Sequence, residues 1–165
     1  AIALFGPNTK TYDEVEDFPV FESEEFEEDS DSDYVGVEYL NMDEKSNIDG
    51  IELSITELDQ AYQPDQDYLF LDPSKKYYAV EVYLVNNSGE SHYYSDYDFK
   101  LKDSDSYTYP NIFSGSRVPS LASGTLPAGG EVRGWVTFEV PQTNEDFTLV
   151  YSDLSSNRSV EFSLR

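Results

Sequence analysis

Between positions 132 and 140 the chain alternates apolar and polar residues. Val132, Val136, Phe138 and Val140 share one phase with Gly134, and Arg133, Thr137 and Glu139 fall between them. A repeat of two is what a strand with one buried face requires, because successive side chains point to opposite sides. Pro141 closes the run, having no N–H to give a neighbouring strand. Trp135 alone breaks the phase, so it should face away from Val136 and Phe138 and cover a neighbouring loop rather than hold a ligand. The Pro-Ala-Gly-Gly stretch at 127–130 is turn chemistry leading into this strand.

The same pattern predicts further strands along the chain. Over 51–58, Ile51, Leu53 and Ile55 alternate with Glu52, Ser54 and Thr56. The run 77–85 (YYAVEVYLV) is apolar in both phases, which predicts a central strand. Strands are also expected over 35–40, 97–102, 107–109, 147–151 and 160–164. Residues 47–50, 63–67, 72–75 and 86–89 carry the Asn, Asp, Gly, Pro and Ser of turns. Residues 110–130, rich in Pro, Gly and Ser, read as one long loop with room for a short strand. Eight or nine short strands at even spacing, with no helical period, predict an all-β fold, an antiparallel β-sandwich, over residues 34–165.

Residues 1–33 differ from the rest. They hold twelve acids against Lys10, with Phe18, Val20, Phe21 and Phe26 scattered between. High like charge and few aliphatics argue against a core of their own. We expect an acidic N-terminal arm, acting as a linker or as a strand added to its own sheet or a neighbour's. The leading 1–5 (AIALF) is apolar but too short and too unflanked for a signal peptide, so a mature form is expected. No run approaches the length of a transmembrane span.

Charge narrows the partners. Acids number 34 against 10 bases, a net −24 in 165 residues. Such a surface repels nucleic acid and anionic lipid, which leaves protein partners or self-association through strand addition. It is relieved by salt, so a halophilic habitat and an ordinary protein with an acidic tail both fit. Cysteine is absent, which removes disulfides and thiolate chemistry.

The order of landmarks carries a resemblance. A Gly-Ile-Glu-Leu strand is followed by Lys-Lys-Tyr-Tyr-Ala-Val-Glu-Val closed by Asn86-Asn87-Ser88, and then by Asp98-Phe-Lys-Leu101. Leu-Pro-Ala-Gly-Gly and Gly134-Trp-Val-Thr-Phe-Glu-Val-Pro141 come next, and Phe147-Thr-Leu-Val-Tyr151 ends the series. Over roughly residues 50–164 this resembles the telokin-like, immunoglobulin-fold domain of unknown function found in bacterial and archaeal secreted proteins and lipoproteins. The resemblance implies an immunoglobulin-like sandwich, extracellular or at the cell surface, with no catalytic residues to assign. Lipoprotein members begin with a cysteine that this chain lacks.

Candidate chemistry is sparse. His92 is the only histidine, in a Ser-Gly-Glu-Ser-His-Tyr-Tyr stretch that reads as a turn, and no nucleophile-elbow motif accompanies it. Asp29, Asp31 and Asp33, and Asp103 with Asp105, offer oxygen ligands at alternate positions for Ca²⁺. An EF-hand loop would then need Gly at its sixth position and Glu at its twelfth. Those places hold Tyr34 and Leu40 in one case and Thr108 and Ser114 in the other. Asn86-Asn-Ser88 and Asn157-Arg-Ser159 match the N-glycosylation pattern at expected turns. Tyr93, Tyr94, Tyr97, Tyr107 and Tyr109 cluster among acids, and half-exposed tyrosines make contact surfaces for proteins or sugars. The expectation is a non-enzymatic cell-surface module with a structural, adhesive or accessory binding role, including a filament subunit that inserts 1–5 into the next copy. The alternative is a Ca²⁺-dependent or small-ligand binding protein.

Overall fold

The computed structural model describes residues 36–65, 72–153 and 155–165. The acidic arm, with Asp29, Asp31, Asp33 and the apolar 1–5, lies outside the described residues. Eleven strands occur among the described residues, and the fold is an immunoglobulin-like β-sandwich. They are β1 Val37–Asn41, β2 Lys45–Ile48, β3 Ile51–Tyr62, β4 Lys75–Asn86, β5 His92–Tyr94, β6 Phe99–Asp103, β7 Thr108–Pro110, β8 Gly124–Leu126, β9 Glu131–Pro141, β10 Phe147–Asp153 and β11 Arg158–Ser163. A single 3-10 turn, Asp96–Asp98, leads into β6.

One sheet runs β1-β11-β10-β6-β7, the other β2-β3-β4-β9, and β5 pairs with β8 apart from both. All pairs are antiparallel except β1 with β11, which run parallel from Val37↔Ser159 to Asn41↔Ser163. The alternating residues meet between the sheets. Tyr78, Val80, Val82 and Leu84 of β4 and Val136, Phe138 and Val140 of β9 face Phe99, Leu101, Phe147, Leu149, Tyr151, Val160 and Phe162. β4 is internal, flanked by β3 and β9, while the outward side chains of Glu81, Tyr83 and Val85 stay only half-buried.

Several elements differ from the sequence expectation. The stretch 47–50 is not a turn throughout: β2 runs to Ile48, and Asp49-Gly50 alone makes the hairpin, with φ of 51° and 87°. Two left-handed residues suit the right-handed twist of the paired strands, and Asp-Gly supplies them at low cost. β3 extends to Tyr62 because a bulge at Thr56 shifts its register between Ile55 and Glu57, which re-phases its acidic second half. His92 belongs to a strand, β5, rather than to a turn.

The long loop 111–122 closes the free edge of β9. Ser120 pairs with Trp135 in parallel, and Asn111 pairs with Phe138 antiparallel. Trp135 faces outward as its phase demands, yet this loop and Arg117 cover it and leave it only 4% exposed. A β-carbon at Gly134 would lie 2.6 Å from the Leu121 nitrogen, so only glycine lets the loop settle there and pass Leu121 into the core.

Candidate functional site

A groove of about 610 Å³ runs along the seam where β7 of one sheet meets β9 of the other. Tyr107, Tyr109, Pro110 and Pro141 form its apolar walls, and Lys75, Asp103, Asp105 and Glu139 supply the charges. β6 and β7 carry the first side through their hairpin, with Leu101 opposite Tyr109. The end of β9 and the start of β4 carry the other, with Lys75 opposite Pro141.

The tyrosines are anchored to the core through a series of rings. Tyr107 and Tyr109 lie 4.9 Å apart between centroids, Tyr109 stands edge-on to Phe147 at 6.2 Å, and Phe147 meets Tyr78 at 5.1 Å. Tyr78 is fully buried and its hydroxyl finds no partner. Tyr107, at the outer end, is 65% exposed.

Asp103 fixes the rim. Its Oδ1 accepts from the backbone N–H of Asp105 at 3.0 Å and of Tyr107 at 2.9 Å. Its Oδ2 accepts from the Tyr109 hydroxyl at 2.8 Å and the Asn144 amide at 3.1 Å. Burial works against the Asp103 charge, but these four donors outweigh it and hold the carboxyl below its ordinary range. The Tyr109 hydroxyl is pushed up to about 12, by burial first and then by donating to charged Asp103. Lys75 donates to Glu139 at 2.5 Å, which raises the ammonium's pKa. Asp105 is exposed at the loop tip, beside Ser106 in the left-handed region (φ 66°).

The structure separates the other sequence candidates. Among the described residues, no three His, Cys, Asp or Glu side chains are gathered as a metal ion would need. Asn86 is not at an accessible turn. It is fully buried at the end of β4; its amide donates to Glu90 O at 2.7 Å and Leu126 O at 2.9 Å, and its Oδ1 accepts from Ser88. Asn157, by contrast, is exposed in the β10–β11 turn with φ 53°. Tyr93, Tyr94 and Tyr97 gather around β5, apart from the groove, with Tyr93 and Tyr97 exposed.

His92 lies near the carboxyls of Asp98 and Asp153. Burial raises the Asp98 carboxyl, whereas hydroxyl and backbone donors from Ser155 and Ser156 overcome burial and lower that of Asp153. The Nε2 of His92 is buried without a hydrogen-bond partner. Ser95, three residues on, spends its hydroxyl on Ser123 at 2.8 Å and on capping the 3-10 turn.

Sequence reasoning missed Lys75 and Glu139 as groove residues and Asn144 as a donor to Asp103, because nothing in their local pattern points across some 40 to 60 residues of chain. It also missed Arg117. That guanidinium stacks on Trp135 at 3.8 Å, reaches Tyr62 at 5.8 Å, and pairs with Asp59 on the outer face of the four-stranded sheet. Beside it, exposed Phe113 and Val118 flank a second cavity of about 270 Å³ under the 111–122 loop.

Known proteins share these features in part. The family described as Domain of unknown function (DUF4352) matches residues 40–160. Among solved structures, the yjhA protein from Bacillus subtilis is similar at 20% identity and a TM-score of 0.60, covering 78% of this chain and 99% of its own. A putative lipoprotein (ycdA) from Bacillus subtilis matches at 20% identity and 0.57, covering 73% of this chain and 38% of its own. MPT63, a secreted protein from Mycobacterium tuberculosis, matches at 10% identity and 0.60, covering 76% and 95%. Among curated proteins none matches. No helix among the described residues is long and apolar enough to cross a membrane.

Proposed function

The chain belongs to the family Domain of unknown function (DUF4352), and from that premise we propose that it is a non-enzymatic extracellular or cell-surface module that binds a macromolecular partner. The contact surface is the Tyr107 groove. The similar secreted protein and putative lipoprotein support the location, while their low identity carries only the fold.

The observation that carries the proposal is the ordered presentation of an exposed tyrosine. Tyr109 is fixed by Asp103 and by Phe147, and Tyr107 rests on Tyr109. A large side chain ordered before binding loses little further freedom when a partner covers it. Tyr39, Tyr93 and Tyr97 are also exposed, but Tyr107 rests on a second ring that is itself anchored to the core.

The test is binding of the labelled full chain to washed cell envelopes of its own host. Tyr107→Ala should reduce binding about fivefold or more, in the range of a contact anchor, while Tyr93→Ala at the remote tyrosine cluster should leave it unchanged. Equal loss or equal retention for the two variants would remove the groove as the contact surface.

A further inference from the structure

We infer that the Tyr107 groove takes an extended, lysine- or arginine-bearing peptide segment, seating a side-chain cation on the Tyr107 ring beside Asp105. The inference rests on the groove being the contact surface, and it names what the groove selects.

Charge sets the sign of the occupant. Three carboxylates line the groove against the single ammonium of Lys75, on a molecule of net −24. Asp103 is saturated by four donors, and Lys75 is tied to one oxygen of Glu139. Asp105 is exposed, and its carboxylate accepts no hydrogen bond among the described residues. An anionic ligand or a second copy of this acidic chain meets repulsion here, whereas a cationic segment is drawn in.

The ring supplies the second half of the recognition. A cation above a tyrosine face is attracted by the ring quadrupole, and a neighbouring carboxylate adds its own charge attraction. The protein uses this arrangement internally: the Arg117 guanidinium lies 3.8 Å from the Trp135 centroid and pairs with Asp59, and Arg133 lies 5.1 Å over Tyr83. Among the described residues no cation of the chain stacks on Tyr107, although its ring is 65% exposed. Tyr107 and Tyr109 line the groove beside Pro110 and Pro141, and an aromatic-lined groove is the kind of surface on which a pre-extended proline-rich backbone lies.

Calorimetric titration of the full chain tests this with three acetylated, amidated octapeptides, in which proline alternates with lysine, with glutamate or with alanine. The lysine peptide should bind at least about tenfold tighter than the other two, in keeping with paired charges across an interface. Tyr107→Ala should weaken it about three- to fivefold, the size of an exposed cation–ring contact, while Tyr107→Phe keeps the ring and the affinity. Asp105→Asn should weaken it, whereas Glu90→Gln, which removes the same charge near the Asn86 end of the sandwich, should not. Equal binding of the alanine and lysine peptides would overturn the inference. So would lysine binding indifferent to Tyr107→Ala, equal loss with Asp105→Asn and Glu90→Gln, or tighter binding of the neutral sugar maltohexaose. Any of these alongside Tyr107-dependent envelope binding removes only the partner chemistry; envelope binding indifferent to Tyr107 removes the contact surface itself.

Discussion

Asp103 and Asn86 show how a polar residue's role is decided by chain far from it. Each sits in a short Asn, Asp and Ser run that reads as exposed turn chemistry, open to a cation or a glycan. Asn86 instead bonds Leu126, forty residues on, and Asp103 bonds Asn144, which lies beyond β9. Side chains that cap their own turns also suit ion binding or glycosylation, so the local motif cannot separate these uses. The tyrosine signal was partly legible, since Tyr107 and Tyr109 share the groove while Tyr93, Tyr94 and Tyr97 do not. Asp103 also has a pH signature. Its carboxyl is held below its ordinary value, so its stabilisation is present above about pH 4 and is lost as the pH falls through the native value. Asp153 is lowered likewise, whereas Asp98, raised by burial, gains stability earlier in the descent, before the pH reaches the ordinary carboxyl value near 4. Asp103→Asn should therefore cost about 2 kcal/mol at pH 7, the scale of hydrogen bonds to a charged acceptor, and flatten the acid limb of the profile. Urea unfolding at pH 7 and pH 3 measures both. An unchanged difference between the two pH values would show that Asp103 is not the titrating group.

Strands with a strong alternating or two-sided apolar pattern were legible; those held by a few polar contacts were not. β4 and β9 follow from their side chains alone. β2 has one apolar residue, Ile48, and is held by its Asp49-Gly50 hairpin and by the buried Ser46 hydroxyl donating to Glu38 at 2.6 Å. β5 has three residues and exists through its pairing with β8, in a stretch that looks like loop. The loop that covers β9 depends on a gap in that strand. The main chain at Ser120 and Leu121 occupies the space a side chain at Gly134 would fill, and backbone cannot yield as a flexible side chain does. Gly134→Ala should destabilise the sandwich by about 2–3 kcal/mol, the scale of core overpacking. It should also expose Trp135, shifting its fluorescence to longer wavelength. A variant as stable as the parent, with unshifted emission, would mean that the loop does not rest on β9 as described.

At the scale of the whole molecule, the acid excess is visible in composition and its consequence is general. Thirty-four acids face ten bases, and the surface ion pairs, such as Lys45 with Glu52 and Arg158 with Asp49, offset little of that excess. Raising salt from 0.1 M to 1 M shortens the screening length from about 10 Å to about 3 Å. The melting temperature should therefore climb across that range of KCl, and a flat profile would show that like-charge repulsion costs the folded state little. The parallel ladder between β1 and β11 has a different kind of consequence. Because the two strands point the same way, residue 36 lies at one end of the sandwich and Arg165 at the other. Tension applied between those points would slide β1 along β11, loading the rungs from Val37↔Ser159 to Asn41↔Ser163 together instead of peeling them singly. A domain pulled in that direction resists as a shear joint.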